Sequence, residues 1–423
     1  MKKILFAAAV AGAFGAAYSA GFGIYEASAR GNAMGGALVG STKDASASYY
    51  NPANMTESTN VSVLVGVTFI TPFCDTTVDG ERQQKMDAGW FCVPTFYFSV
   101  PLPFDFAVGG GTYCEYGLGT KYAGDWALAG DTIETTMMQY TFNPNLSWKV
   151  TDWWSIAGGL RLSYIHFNNK KHPHAGEPLY LEQYRRTLPG SDYYHLESEL
   201  DGDDTTLGYN FGTTFKALDN LSFGIVYRSP LKHKIAGDFD LGGYVDTPMG
   251  RTAQHAHLPA SAKLELPQSL SMGVNWDATE KWHLGFVATW TEWSSVDNIK
   301  FEIPGYGYNL PLRWKDVWRF GWGVEYDLTE DVSLRGSYVY DVDPTGTHGT
   351  TMLPSGDRHI LGVGFGWNIW STLRLDVGYN LILMEDSDRN ITLTTLGGET
   401  YTKHFSADNS MSHLISASLS YSF

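Results

Sequence analysis

From Ile415 to the last residue, apolar and hydroxyl side chains alternate without interruption: Ile415, Ala417, Leu419, Tyr421 and Phe423 against Ser416, Ser418, Ser420 and Ser422. A period of two sends the two sets to opposite faces of a strand, so one face is oily and the other can hydrogen-bond. The same alternation sets Trp282, Leu284, Phe286, Ala288 and Trp290 against His283, Gly285, Val287, Thr289 and Thr291. It returns in Trp318 to Tyr326 and in Leu373 to Leu381. Mean hydropathy is only -0.20. Past the N-terminus no apolar run reaches the roughly 20 residues a membrane helix needs. Strands that keep one face in lipid and the other in a lumen average to just such a value.

The connections point the same way. Tight polar turns are expected at Lys149–Asp152, Ala217–Asn220, Asp277–Glu280, Asp327–Glu330 and Asn368–Ser371. They alternate with irregular stretches near 73–87, 116–131, 169–192, 238–256, 297–311, 343–356 and 386–406. Short turns at one rim and long loops at the other describe a membrane barrel, and counting segments gives about fourteen strands. The fold class is therefore all-β: a transmembrane antiparallel β-barrel spanning 58–423. A soluble sandwich would need neither the one-sided loop lengths nor a terminal Phe423.

Lys2 and Lys3 precede an apolar run, Ile4 to Ala17, with small residues Ala17 and Ser19 at the cleavage positions, so residues 1–19 read as a signal peptide. The next segment, 20–57, is rich in Gly, Ala and Ser, has no sustained periodicity, and closes on Asn51-Pro52-Ala53. It cannot build a core of its own and must sit inside something else. The 14 Trp, 25 Tyr and 22 Phe suit interfacial girdles. A net charge of -16 argues against nucleic acid as a partner. With 3 Cys, no disulfide framework carries the fold.

In order and spacing, several motifs resemble the FadL family of outer-membrane transporters for long-chain fatty acids and other hydrophobic compounds. They are Ala20-Gly21-Phe22, Asn51-Pro52-Ala53, Gly117-Leu118-Gly119-Thr120 with Trp126, Leu266-Pro267-Gln268, Trp290 to Trp293, Trp314 to Arg319, and Pro354 with Asp357-Arg358. The resemblance implies that residues 20–57 form a hatch plugging the lumen and that the third strand kinks inward to open a side gap. It also implies that a lysine in the Trp314 to Arg319 segment contacts ligand. Where the family often has an acidic residue after the proline matching Pro354, this chain has Ser355.

If the apolar sets face lipid, the opposite sets line the lumen. They include Arg161, Lys315, Arg319, Arg335, Arg374 and Asp376, with apolar Ile165, Phe167, Val287, Val339, Ile360 and Ile382. Apolar side chains facing inward favour an oily ligand over general solutes. Lys315 is the first expectation for a head-group partner, with Arg161 and Arg319 behind it, and Ile165, Phe167 and Val287 for the pocket. These bases are equally expected to pair with lumen acids, because buried charges are normally paired. Gly109-Gly110-Gly111 reads as an interruption of the third strand, either an ordinary tight bend of the barrel or, as the resemblance implies, the lateral gate. Leu179, Tyr180, Leu181, Tyr184 and Leu188 suggest a capture groove in a long loop.

With Pro103 centring a hairpin turn, Cys92 stands opposite Cys114 and a disulfide between them is allowed, with Cys74 as a competitor. His172-Pro173-His174 lacks further ligands at useful spacing, so no metal and no cofactor is expected. The acids Asp192 to Asp204 read as a solvated run, with binding of divalent cations near lipopolysaccharide as the alternative. No nucleophile elbow is found, so no enzyme is expected. The leading expectation is passive, ligand-gated uptake of long-chain fatty acids or related hydrophobic molecules with lateral release into the bilayer. Beside it stand an aromatic-hydrocarbon or alkane channel and a structural or adhesin barrel. The expected partners are that ligand, outer-membrane lipid and lipopolysaccharide, and the barrel assembly machinery through the C-terminal strand.

Overall fold

A computed structural model describes residues 21–83, 86, 89–173, 194–247, 250–296, 298–347, 350–394 and 400–423. The signal peptide and the apolar loop cluster Leu179 to Leu188 lie outside the described residues.

One closed antiparallel sheet makes the wall. Counting each segment that resumes a strand after a break with that strand gives fourteen, β1 to β14. They are β1 Ser62–Val78, β2 Phe91–Leu102, β3 Phe106–Tyr113 resuming at Gly117–Lys121, β4 Glu134–Thr151, β5 Trp154–Lys171 and β6 Tyr194–Leu218. Next come β7 Leu221–Arg228 with Leu231–Thr247, β8 Gly250–Leu266 with Ser269–Asp277, β9 Trp282–Thr291 with Asn298–Ile303, and β10 Tyr306–Pro311 with Val317–Asp327. The last four are β11 Val332–Asp341, β12 Arg358–Trp370, β13 Leu373–Met384 with Ser387–Thr394, and β14 Thr400–Ser422. Pairing of β1 with β14, from Ser62 opposite Ser422 to Val78 opposite Phe405, closes the barrel.

The alternating sets fall where the period of two puts them. Trp318, Trp322, Leu361, Phe365, Ile415 and Leu419 are exposed on the outer face. Arg319, Val287, Asp376 and Ser418 are buried on the inner one. Three of the expected long loops are instead hairpin arms. Residues 238–247 and 250–256 belong to the Leu231–Thr247 and Gly250–Leu266 ladder, 298–303 and 306–311 to Asn298–Ile303 and Tyr306–Pro311, and 387–394 and 400–406 to Ser387–Thr394 and Thr400–Ser422. Beyond the lipid band both faces of a strand are wet, so the apolar alternation that reveals a strand disappears while the backbone pairing continues.

Residues 21–57 lie inside the wall. Ser28 caps the short helix α1, Ala29–Ala33, its Oγ accepting from the Gly31 amide at 3.1 Å. The second helix, α2, is Ala47–Tyr50, followed by a 3-10 turn Pro52–Glu57. Asn51 joins this segment to the wall: its amide donates to the carbonyl of Val39 at 2.9 Å and to Thr214 Oγ1 at 2.8 Å, while its oxygen accepts from the Ala53 amide. Pro52 and Ala53 are buried beside it. Close approach is possible because the wall has no side chains there. A Cβ at Gly224 would lie 2.1 Å from the Val39 carbonyl oxygen, and one at Gly285 2.3 Å from that of Ala37.

Two expectations need correction. Gly109, Gly110 and Gly111 do not interrupt β3: they pair with Ser99, Phe98 and Tyr97 on one side and with Asn145, Pro144 and Asn143 on the other. The break comes later, at Cys114–Tyr116. The absent Cβ atoms make room, for Met55 of the plug at Gly109 and for Tyr97 at Gly111. The cysteine register is also shifted. Leu102 pairs with Phe106, and the turn is centred on Phe104, where Phe104 and Asp105 both have positive φ. Continued by that register, Cys114 would face Pro94 instead of Cys92, and Cys74, Cys92 and Cys114 are all free thiols.

Candidate functional site: an apolar chamber closed by Phe22

After Thr112, β3 leaves β2, and among the described residues Phe91–Thr95 of β2 has no ladder partner on that side. The N-terminal segment takes the vacated place. Gly23 forms an antiparallel bridge with Tyr116. The Ile24 amide donates to the Glu115 carbonyl at 2.7 Å, and the Gly117 amide to the Phe22 carbonyl at 2.9 Å. Backbone groups that an inward kink would orphan are thereby satisfied.

This strand-like stretch aims Phe22 into a buried apolar chamber. Its ring meets Trp314 at 4.8 Å and Trp293 edge-on at 5.9 Å between centroids, and Tyr116 meets Trp293 edge-on at 6.0 Å. Ile165, Phe167, Leu231 and Leu264 belong to the same cluster. Trp293, Arg161 and Tyr113 are among the largest side chains removed from solvent altogether.

At the chamber's edge Glu115 lies between two guanidiniums. Arg161 Nη2 is 2.5 Å from its Oε2, and Arg228 Nε is 3.4 Å from its Oε1. Arg161 also donates to the Ser229 carbonyl at 2.7 Å, and Arg228 stacks on the Tyr49 ring of α2 at 4.7 Å. A second ionic cluster fastens the plug: Arg30 of α1 pairs with Glu325 at 3.1 Å, while Arg335 bridges Glu325 to Asp376. Unpaired, each of these charges would be costly to bury; paired, they fix where plug and wall meet.

Of the residues singled out from sequence, Ile165 and Phe167 share the chamber, with Arg161 beside it. Val287 lies elsewhere, packed against Ala37 and Val39 of the plug. Arg319 is buried under the plug, over the Tyr25 ring at 4.4 Å. Lys315 does not join this buried cluster: its side chain is exposed, and its amide donates to the Pro344 carbonyl. Lys315 and Asp316 are both exposed, so the inner set changes parity between Trp314 and Val317. Trp314 therefore takes the place that extrapolated alternation assigns to Lys315. Sequence reasoning quoted Phe22, Trp293 and Trp314 without giving them a role. Their signal was the conjunction of a small-residue N-terminus bearing one Phe with tryptophans at strand breaks. No group of three or more His, Cys, Asp or Glu suited to a metal occurs among the described residues.

A lipid-embedded closed barrel with a folded plug and an enclosed oily chamber defines a class: outer-membrane transport proteins. The family model described as "Outer membrane protein transport protein (OMPP1/FadL/TodX)" matches residues 9–423, and the chain belongs to that family, whose members are transporters. The chain is 25% identical over 394 residues to the long-chain fatty acid transport protein of Escherichia coli O6:H1, covering 86% of this chain and 86% of that protein. A solved Pseudomonas aeruginosa FadL homologue shares the fold with a TM-score of 0.82 at 20% identity, covering 96% of this chain and 100% of that one. The P. putida toluene transporter TodX does so at 0.73 and 17%, covering 96% and 99%.

Proposed function

We propose that this outer-membrane transporter takes up long-chain fatty acids or closely related molecules with long alkyl chains, passively, by displacement of Phe22. One observation carries the reading: the chamber is occupied by a side chain of the plug itself, so ligand and Phe22 compete for one space. Burial of a Phe side chain is worth about 1.5–3 kcal/mol, and each buried methylene about 0.8 kcal/mol. Roughly two to four methylenes therefore match Phe22, and a long alkyl chain exceeds it several-fold. Toluene is a phenylalanine side chain in size and chemistry. It would exchange with Phe22 at near parity, so the aromatic-hydrocarbon reading is the weaker one.

Withdrawal of Phe22 strips the Gly23 to Tyr116 bridge from the β3 break. Ligand capture and loosening of the wall between β2 and β3 are then one event, and exit sideways into lipid follows, since an oily ligand gains nothing in water. Residues 20–57 act as the hatch and carry no catalytic role. Lipopolysaccharide surrounds the outer rim, and the strand ending at Phe423 is read by the barrel assembly machinery. The test is uptake of labelled oleate and labelled toluene by cells whose own transporter is deleted. Oleate uptake restored by this chain and lost in Phe22→Glu supports the reading, whereas toluene uptake without oleate uptake overturns it.

A further inference from the structure

Three neighbouring strands bring together a hydroxyl, a carboxylate and an imidazole that lie far apart in the chain: Ser163 of β5, Asp204 of β6 and His233 of β7. His233 Nδ1 is 3.0 Å from Asp204 Oδ2, and its Nε2 is 3.2 Å from Ser163 Oγ. An ionised carboxylate only accepts, so Nδ1 carries the proton of the neutral ring and Nε2 is left to accept from the serine hydroxyl. Asp204 is itself held, since the Lys234 amide donates to the same oxygen at 3.0 Å. Gln139 Nε2 donates to Ser163 Oγ at 2.7 Å, which leaves the hydroxyl hydrogen for the imidazole. Ser163 and His233 are buried.

A nucleophile, a base and a group that orients the base, each within hydrogen-bond reach of the next, make the triad by which hydrolases cleave esters. Geometry and roles identify it, whatever the fold or the order in the chain. Here each strand supplies one member, so no nucleophile elbow is needed. The triad borders the oily chamber. Ile165 lies two residues past Ser163, Leu231 and Ile235 stand two residues to either side of His233, and all three belong to the chamber cluster. Arg161, two residues before Ser163, is buried, yet among the described residues its Nε has no hydrogen-bond partner. A spare donor on a cation beside a nucleophile suits a developing oxyanion.

We infer that Ser163, His233 and Asp204 form an esterase site for long-chain acyl esters whose alkyl chain enters the chamber. The inference rests on the reading of that chamber as an alkyl-chain site. Withdrawal of Phe22 opens the buried serine to the ester. Ser163 Oγ attacks the ester carbonyl carbon as its proton passes to His233 Nε2. The bond from that carbon to the alcohol oxygen breaks, and the imidazolium returns the proton to the departing alkoxide. Water then gives a proton to Nε2 and attacks the acyl-serine; the bond to Oγ breaks, Oγ recovers the proton, and the fatty acid leaves. Asp204 positions the imidazole, and Arg161 Nε donates to the oxyanion in both steps. The acid so released is the class of molecule that the transporter carries.

The full chain, purified from cells lacking other outer-membrane esterases and placed in lipid nanodiscs, is given 4-nitrophenyl palmitate or 4-nitrophenyl acetate. A second sample receives a biotinylated fluorophosphonate, whose adduct is located by peptide mass spectrometry. The wild type is expected to cleave the palmitate at least about tenfold faster than the acetate, because only the longer chain gains from burial, and to carry the phosphonate on Ser163. Ser163→Ala should lose hydrolysis and label together. Asp204→Asn should lower kcat about 100-fold with KM unchanged, a split that a loosened wall would not give. Heat-modifiable migration in gels establishes that the variants fold, and if Ser163→Ala does not, the label on the wild type decides. An unlabelled Ser163, hydrolysis retained by a folded Ser163→Ala, or acetate cleaved as fast as palmitate overturns the site. Oleate uptake by the wild type separates the two readings: uptake without hydrolysis overturns the esterase alone, and hydrolysis with palmitate preference but no uptake overturns the transport reading alone.

Discussion

The amide of Ile24 donates to the carbonyl of Glu115 across 2.7 Å, and the side chain of that glutamate accepts from Arg161. One residue of the β3 break thus holds the plug with its backbone and a wall arginine with its side chain. Anything that draws Phe22 from its chamber must work against that hydrogen bond, and anything that neutralises Glu115 frees two buried guanidiniums.

Phe22→Ala should empty the chamber without removing the plug. Loss of a buried Phe costs about 3–5 kcal/mol when the cavity does not collapse, and here that cost falls on the closed state. Oleate affinity is expected to rise, because the competitor is gone. Equilibrium binding in nanodiscs checks this, and unchanged affinity would show that Phe22 and ligand do not share the space.

Gly109→Leu is expected to weaken the plug-to-wall fit as well as transport. A Cβ there would lie 2.5 Å from Met55 Sδ and 2.6 Å from the Phe98 carbonyl oxygen, and overpacking of this sort costs about 1–3 kcal/mol. The readout is the temperature at which the folded gel band is lost, which should fall. A barrel of unchanged thermal stability would contradict the contact.

Arg30→Met removes the cation that α1 presents to Glu325, although Arg335 still shares that carboxylate. The plug should be held less firmly, with more frequent conductance flickers in planar bilayers than the wild type. A silent trace indistinguishable from wild type would mean that the ion pair does not restrain the plug.

On the outer arm of β7 and β8, His257 Nδ1 lies 2.8 Å from Asp240 Oδ1, with Asp238 nearby. The hydrogen bond and charge of Asp240, then the charge of Asp238, raise the imidazole above its ordinary value. A raised folded pKa means that the pair stabilises the arm fully below about pH 6.5, the unfolded value, and that this contribution is lost as pH climbs through the folded one. NMR titration of His257 should show the upward shift in the wild type and its loss in Asp240→Asn.

Thiol titration of unfolded, unreduced protein should count three free cysteines per chain, in line with the register of β2 and β3. A count of one would restore a disulfide.

Wherever lipid enforces a period of two, the fold was legible. Trp318 to Tyr326 and Ile415 to Phe423 reveal both strand and face, and so place Arg161, Ile165 and Phe167 on the inside. Legibility ended where that constraint ends. The wet arms at 238–256 and 386–406 carry no apolar alternation, so they read as loops. Residues 312–316 lie outside any ladder, so parity carried back from Trp318 put Lys315 where Trp314 belongs. Glycines at 109–111 read as a break because the sequence does not show Met55 and Tyr97 standing in the space they leave. The pairing of Gly23 with Tyr116 joins residues far apart in sequence, and no local pattern announces it.

The near-contact of the plug backbone with wall glycines at Gly224 and Gly285 also bears on how the molecule is made. A plug that touches wall main chain at van der Waals limits, and whose Ala29 amide donates to Ser418 Oγ on the final strand, cannot be threaded into a finished cylinder. If the sheet closes around this segment, a chain lacking residues 21–57 is expected to stall as an open, unsealed sheet, seen as loss of the folded gel band.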